Sequence, residues 1–151
     1  MKTIKIKPVE IIGNCRAGIS LADEFQIEGM RLKISGPCNL CFLALSNFGP
    51  IVSQLQCGHH FFAHANCPDC LSDIDHPNHV VFLLGHADKW ELCQAISDYC
   101  RLCRDCASEP VSAQRLTMEA LRYQKEGDFA KATEKMTAAV SELKRHIKIS
   151  Q

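Results

Sequence analysis

Val80-Val81-Phe82-Leu83-Leu84, closed by Gly85, is an unbroken apolar run with the signature of a central β-strand. Upstream of it the hydrophobic pattern has period two. Ile4 and Ile6, Phe25 and Ile27, and Leu32 and Ile34 alternate with polar residues and are separated by Gly13, Gly18 and Gly29. This predicts short strands joined by turns, with Glu24 to Ile34 forming a hairpin around Gly29. Between these strands and the central run, residues 38–47 read as a short buried helix that stops before Gly49-Pro50, and Ile51 to Leu55 as a second one. Residues 57–79, rich in His, Asp, Asn and Pro, read as a loop.

Downstream of Asp88 the period becomes helical. Trp90, Cys93, Ile96, Cys100 and Cys103 recur at helical intervals, Pro110 breaks the pattern with Ser108 as a cap, and Leu116, Ala120 and Tyr123 begin another helix. Gly127-Asp128 supplies a stop and an N-cap, after which Phe129, Ala132, Met136, Val140, Leu143 and Ile147 form one apolar stripe. The expected fold is α+β. A small mixed domain of short strands and two short helices with a metal-binding loop covers residues 1–88, and an α-helical hairpin tail covers 89–151. The tail sequence around Glu126 to Ala132 is similar to half of a tetratricopeptide unit, without an internal repeat to extend it.

The 151 residues are 46% hydrophobic, enough for a core without disulfide staples, so stability does not explain ten cysteines. Met1 to Gly13 alternates like a strand and lacks the apolar segment of a signal peptide. No stretch approaches the ~18 apolar residues of a membrane span. The expected setting is cytoplasmic, without membrane, where thiols stay reduced and paired cysteines act as ligands or redox groups. The 17 lysines and arginines balance 17 acidic residues, and the one short basic block is Lys144 to Lys148, so nucleic acid is not an expected partner.

The cysteines and histidines carry the chemistry. Cys38-x2-Cys41, Cys57-Gly58-His59-His60 and His64-x2-Cys67-x2-Cys70 have metal-ligand spacing, because a two-residue gap lets both thiolates of a pair turn onto one ion. With Cys15 they give a candidate metal set of Cys15, Cys38, Cys41, Cys57, His59, His64, Cys67 and Cys70. Four of these close a tetrahedral zinc site, and eight fill two, although His59 to His64 is longer than a RING-type pattern uses. The competing reading makes Cys38 and Cys41 small core hydrophobes. Cys67-Pro68-Asp69-Cys70 also has dithiol spacing, but the strand-to-helix context of a thioredoxin-like site is missing and the nearby histidines favour ligation. His76, His79 and His86 read as surface or strand-edge residues.

A second group, Cys100-x2-Cys103-x2-Cys106-x2-Glu109-Pro110, resembles the ferredoxin run Cys-x2-Cys-x2-Cys-x3-Cys-Pro, with Glu109 before the proline in place of the fourth cysteine and one residue fewer in the last gap. Cys93, Cys100, Cys103 and Cys106 are therefore candidate cofactor ligands for a [4Fe–4S] cluster, completed by Cys93 or a cysteine of the first domain. The alternative is a helix face that packs Cys100 and Cys103 into a core.

In Ile4 to Ile12, Cys15-Arg16-Ala17-Gly18 running to Asp23-Glu24-Phe25, Gly36-Pro37-Cys38, Leu55-Gln56-Cys57-Gly58, Cys67-Pro68-Asp69-Cys70 and Val80-Val81-Phe82, the chain resembles a family of small uncharacterised cysteine-containing proteins found mainly in anaerobic bacteria and archaea. The resemblance covers residues 1–86. It implies a compact α+β domain whose recurrent thiols are Cys15, Cys38 and Cys67, and it implies no reaction. Arg16 stands where the family has Pro, Ala22 where it has Gly, and Cys57 where the first Gly of a pair is expected; Cys41, Cys57, Cys70 and the helical tail are additions.

These readings converge on a metal-binding protein, with zinc or a [4Fe–4S] cluster, acting in electron transfer or as an accessory subunit of a larger anaerobic enzyme. The alternatives are a zinc-braced adaptor that binds a protein partner or a second copy through Phe129, Met136, Val140 and Leu143 of its C-terminal helices, and a small thiol- or metal-dependent enzyme.

Overall fold

The computed structural model describes residues 1–67 and 78–150. The chain divides into two compact units, Met1–Trp90 and Glu91–Gln151. The first is an α+β unit. Strands β1 (Thr3–Ile12), β2 (Phe25–Glu28), β3 (Arg31–Ile34), β4 (Phe62–Asn66) and β5 (His79–His86) form an antiparallel sheet of order β3-β2-β1-β5-β4. The apolar run lies inside the sheet, as its composition demands, between β1 and β4. The β2–β3 hairpin turns at Gly29, which sits at φ 60°, a conformation that suits glycine.

A bulge in β1 sets which residues face inward. Pro8 pairs with Phe82 and Glu10 with Val81, so Val9 is the extra residue. Before it, Ile4, Ile6 and Pro8 are buried; after it the phase slips by one and Ile11, opposite Val80, packs against the core. The antiparallel pairing of Ile12 with His79 leaves the chain after Ile12 at the same end of the sheet as the start of β5.

Helix α1 (Phe42–Gln56) covers this face with Ala44, Phe48, Val52 and Leu55, all buried and spaced three or four apart. Phe48 is the centre of the core, stacked on Phe25 at 6.2 Å and edge-on to Phe82 at 5.0 Å. One helix therefore replaces the two short ones expected around Gly49-Pro50, and Pro50 lies inside it. A proline there lacks an N–H and crowds the carbonyl one turn back, at a cost of about 3 kcal/mol, which the apolar stripe on either side of it offsets.

The expected loop at 57–79 also contains a strand. β4 pairs with β5 along its length, with Ala63 and Ala65 opposite Leu84 and Phe82 on the core face. His86 is likewise not a surface residue. It is 1% exposed, and its Nε2–H donates to the Leu55 carbonyl at 2.8 Å, with Lys2 Nζ 3.5 Å from Nδ1. The Leu55 carbonyl, in the last turn of α1, also accepts the Gly58 N–H at 3.0 Å, so the imidazole takes its second acceptor position.

The second unit is helical. α2 (Trp90–Arg104) begins at the boundary, and α3 (Val111–Glu126) and α4 (Phe129–Ser150) form a hairpin. Gly127 at φ 81° ends α3, and the Asp128 carboxylate accepts the Lys131 N–H at 3.1 Å to start α4. The structure starts α3 from Pro110 in place of Ser108. Small residues, Ala113 and Ala120 on α3 and Ala132 and Ala139 on α4, are buried, and ties between Ser112 and Glu142 and between Lys135 and Glu119 fix the antiparallel register. The Lys135 ammonium holds the Glu119 carboxyl below the usual carboxylate range. No helix of the described residues is long and apolar enough to cross a membrane.

Pro50→Ala restores an amide hydrogen bond in a helix that already forms. It should raise the stability of the protein by about 1–3 kcal/mol, seen as a higher urea midpoint with an unchanged m-value.

Candidate functional site

At one end of the sheet three elements deliver a cysteine to one place. β1 runs into Asn14-Cys15, β4 runs into Cys67, and Cys41 is the N-cap of α1. Cys15, Cys41 and Cys67, with Asn14, Asn78, His79 and the core residues Ile19, Val80 and Phe82, line a cavity of about 10 Å3. That is room for about one water molecule. The Asn14 N–H donates to the Asn78 side-chain oxygen at 2.8 Å and ties its rim. The cavity abuts the start of α1, where Cys41 makes no side-chain cap and the helix N-terminus favours negative charge. Inside it, the Val80 N–H donates to Cys67 Sγ at 3.0 Å. An amide aimed at a sulfur offsets charge on it, as the amides around cysteine-ligated metals do.

A buried carboxylate holds the loops that carry Cys15 and Cys38. Asp23, 6% exposed, accepts the Ser20 N–H at 2.7 Å and the Asn39 N–H at 3.3 Å. Asn39 in turn donates to the Gly18 carbonyl at 2.7 Å, and Gly18 closes a turn back onto Cys15. Cys38 is half-buried beside this network and outside the cavity lining. Burial pushes its thiol up; a hydrogen bond from the Glu24 backbone opposes the rise and the Asp23 charge adds to it.

Of the eight residues expected to act together, the fold brings Cys15, Cys41 and Cys67 to the cavity and leaves Cys38, Cys57, His59 and His64 outside its lining. Cys57 is exposed and caps the C-terminus of α1, about 24 Å from Cys41 along the helix axis at ~1.5 Å per residue. His59 follows it and is exposed. His64 pairs with Leu83, so it projects from the sheet face opposite α1. Cys70, Pro68, Asp69 and His76 lie outside the described residues. Sequence reasoning set His79 aside, although it lines the cavity; nothing in its local pattern signalled this, because β1 and β5 bring it there by pairing with Ile12. Among the described residues no three Cys, His, Asp or Glu side chains already stand in metal-holding geometry.

In the second unit Cys93 is fully buried on α2, Cys100 is exposed, and Cys103 and Cys106 are half-buried at and after the helix end. The buried face of α2 runs through Leu92, Cys93, Ala95 and Tyr99, so Cys100 is not a core residue. The stripe on α4 is occupied as well, with Met136, Val140 and Leu143 buried. The chain matches no family model, no curated protein and no solved structure.

Two measurements follow from the Asp23 network. Asp23→Ala leaves two amides without their acceptor and should cost about 1–3 kcal/mol in urea unfolding. Near neutral pH, Cys38 should alkylate with iodoacetamide more slowly than exposed Cys57. A raised thiol pKa means less thiolate, so the gap should close as pH rises through that range.

Proposed function

We propose that this protein is a non-catalytic, cysteine-ligated metal protein, in which zinc held by Cys15, Cys41, Cys67 and a His79 nitrogen braces the first unit of an accessory or adaptor subunit. The observation that carries the reading is the convergence of three thiols from three separate segments on one cavity. Three sulfurs and one imidazole are a tetrahedral zinc donor set. A cysteine side chain has one χ angle with three staggered wells, so a change of rotamer is the movement by which the sulfurs that line the cavity would close on an ion.

The size of the cavity favours zinc over a cluster, and a brace over a catalyst. Space for about one water suits a single ion. It is too small for a cube of iron and sulfide. A bound ion would hold the ends of β1, β4 and α1 together without any reaction, so its contribution would be to folding. A partner would meet the second unit on α3, where Val111, Met118 and Leu121 are exposed.

Elemental analysis of anaerobically purified protein tests this. One zinc per chain without sulfide is the expected result, lost in Cys41→Ser and in Cys67→Ser, retained in Cys57→Ser, and removed by chelator with a fall in melting temperature. About four iron and four acid-labile sulfide per chain would replace zinc with a [4Fe–4S] cluster and return electron transfer to the front. Metal retained by both cavity variants would sink the assignment.

A further inference from the structure

Beyond the cavity of the first unit, the second unit holds three thiols at the end of α2 that the proposed zinc site does not use. We infer that Cys103 and Cys106 are a dithiol–disulfide redox pair that exchanges with low-molecular-mass disulfides, and that the Glu109 carboxylate accepts the Cys103 proton.

Backbone geometry selects this pair. α2 ends at Arg104, and the chain then closes a tight turn in which the Cys106 N–H donates to the Cys103 carbonyl at 3.3 Å and the Asp105 N–H to the Leu102 carbonyl at 3.1 Å. A four-residue turn holds its end Cα atoms within about 7 Å, and a disulfide spans Cα separations of about 4.4–6.8 Å. Cys100 and Cys103 are instead one turn apart inside the regular helix, where Cβ atoms stand about 5–6 Å apart. A disulfide needs about 3.5–4.5 Å between Cβ atoms, so that pair closes only by distorting α2. Cys106 lies past the helix end and carries no such restraint.

Both thiols already point their protons at acceptors. Cys103 Sγ donates to Glu109 Oε1 at 4.0 Å, the Tyr99 hydroxyl donates to the same oxygen and holds the carboxylate in place, and Cys106 Sγ donates to the Ser108 carbonyl at 3.1 Å. Burial pushes the Cys103 thiol up, and the neighbouring Cys100 and Cys106 sulfurs add to it. With a carboxylate at hydrogen-bond reach of its sulfur, Cys103 stands in the position of a resolving thiol that hands its proton to a base.

The exchange balances in two steps. Cys106, as thiolate, attacks one sulfur of R–S–S–R; the mixed disulfide forms and RS⁻ leaves, taking up the proton that Cys106 released. Cys103 then passes its proton to Glu109 and attacks Cys106 Sγ. The mixed disulfide breaks, and the second RS⁻ leaves and takes the proton from Glu109. One external disulfide is reduced to two thiols, and the Cys103–Cys106 bond is the oxidised product.

The full chain is incubated with oxidised glutathione, quenched with an alkylating agent and mapped by mass spectrometry. Cys103–Cys106 should be the disulfide that forms, with Cys100 alkylated. Cys106→Ser should abolish it, and Cys100→Ser should leave it intact. Glu109→Gln should slow closure about tenfold or more near neutral pH, so that glutathione accumulates on Cys106, with the deficit vanishing at high pH. Circular dichroism identifies variants that retain the helical hairpin. A Cys100–Cys103 disulfide, no disulfide at any oxidised glutathione concentration, or a metal bound by Cys100, Cys103 and Cys106 that blocks oxidation would each overturn the proposal. None of these outcomes depends on the zinc content of the first unit, which Cys41→Ser removes separately.

Discussion

The packing of Phe48 between Phe25 and Phe82 is the interaction on which the first unit depends. It lays α1 across the sheet in one direction and at one height. Once that is set, Cys41 must stand at the end where β1 finishes and β5 begins, and Cys57 must stand at the other, beside the buried His86. The hydrophobic core thus decides which cysteines can meet. Thiols that are close in sequence to the same helix are held apart by its length, and thiols separated by long stretches of chain are brought to one cavity.

The second determinant is smaller. The bulge at Val9 shifts the phase of β1, so the inward side is carried by Ile4 and Ile6 on one side of it and by Ile11 on the other. Without the slip, the alternation would turn Ile12 inward, and the turn bearing Asn14 and Cys15 would leave the sheet with the opposite orientation. The Asp23 carboxylate then fixes what the strands leave loose, because its two backbone hydrogen bonds join the loop after Cys15 to the loop before α1.

Much of this architecture was legible in the sequence where periodicity was strong. Alternation at Ile4/Ile6, Phe25/Ile27 and Leu32/Ile34 and the run Val80–Leu84 marked four strands, and the helical stripes with Gly127-Asp128 marked the hairpin. β4 was not legible, since its inward residues are only Ala63 and Ala65 while Phe62, His64 and Asn66 face the other way. Pro50 signalled a break that the burial of Ala44, Phe48, Val52 and Leu55 overrides. His86 gave no sign of being buried, because its reason is a carbonyl thirty-one residues away. The cysteine spacings pointed to chemistry but not to grouping. Local spacing reports which residues a short turn can bring together, and the Cys15–Cys41–Cys67 convergence is made by strand pairing and helix packing.

The two thiol groups also differ in what a cross-link at each would do to the chain. Cys15, Cys41 and Cys67 are separated from one another by long stretches of chain, and an ion that tied them would remove much of the unfolded chain's freedom, about 3–4 kcal/mol for each closed loop of that length by the loop-closure relation. Cys103 and Cys106 enclose a single turn. A bond between them removes only about 2 kcal/mol of that freedom by the same relation, and the turn is already closed by a backbone hydrogen bond. A link that adds much to stability is suited to permanence, whereas one that adds little can be made and broken without unfolding what surrounds it. The proposed ion at the long-range set would therefore brace the fold, and the proposed disulfide of the short-range pair would act as a switch.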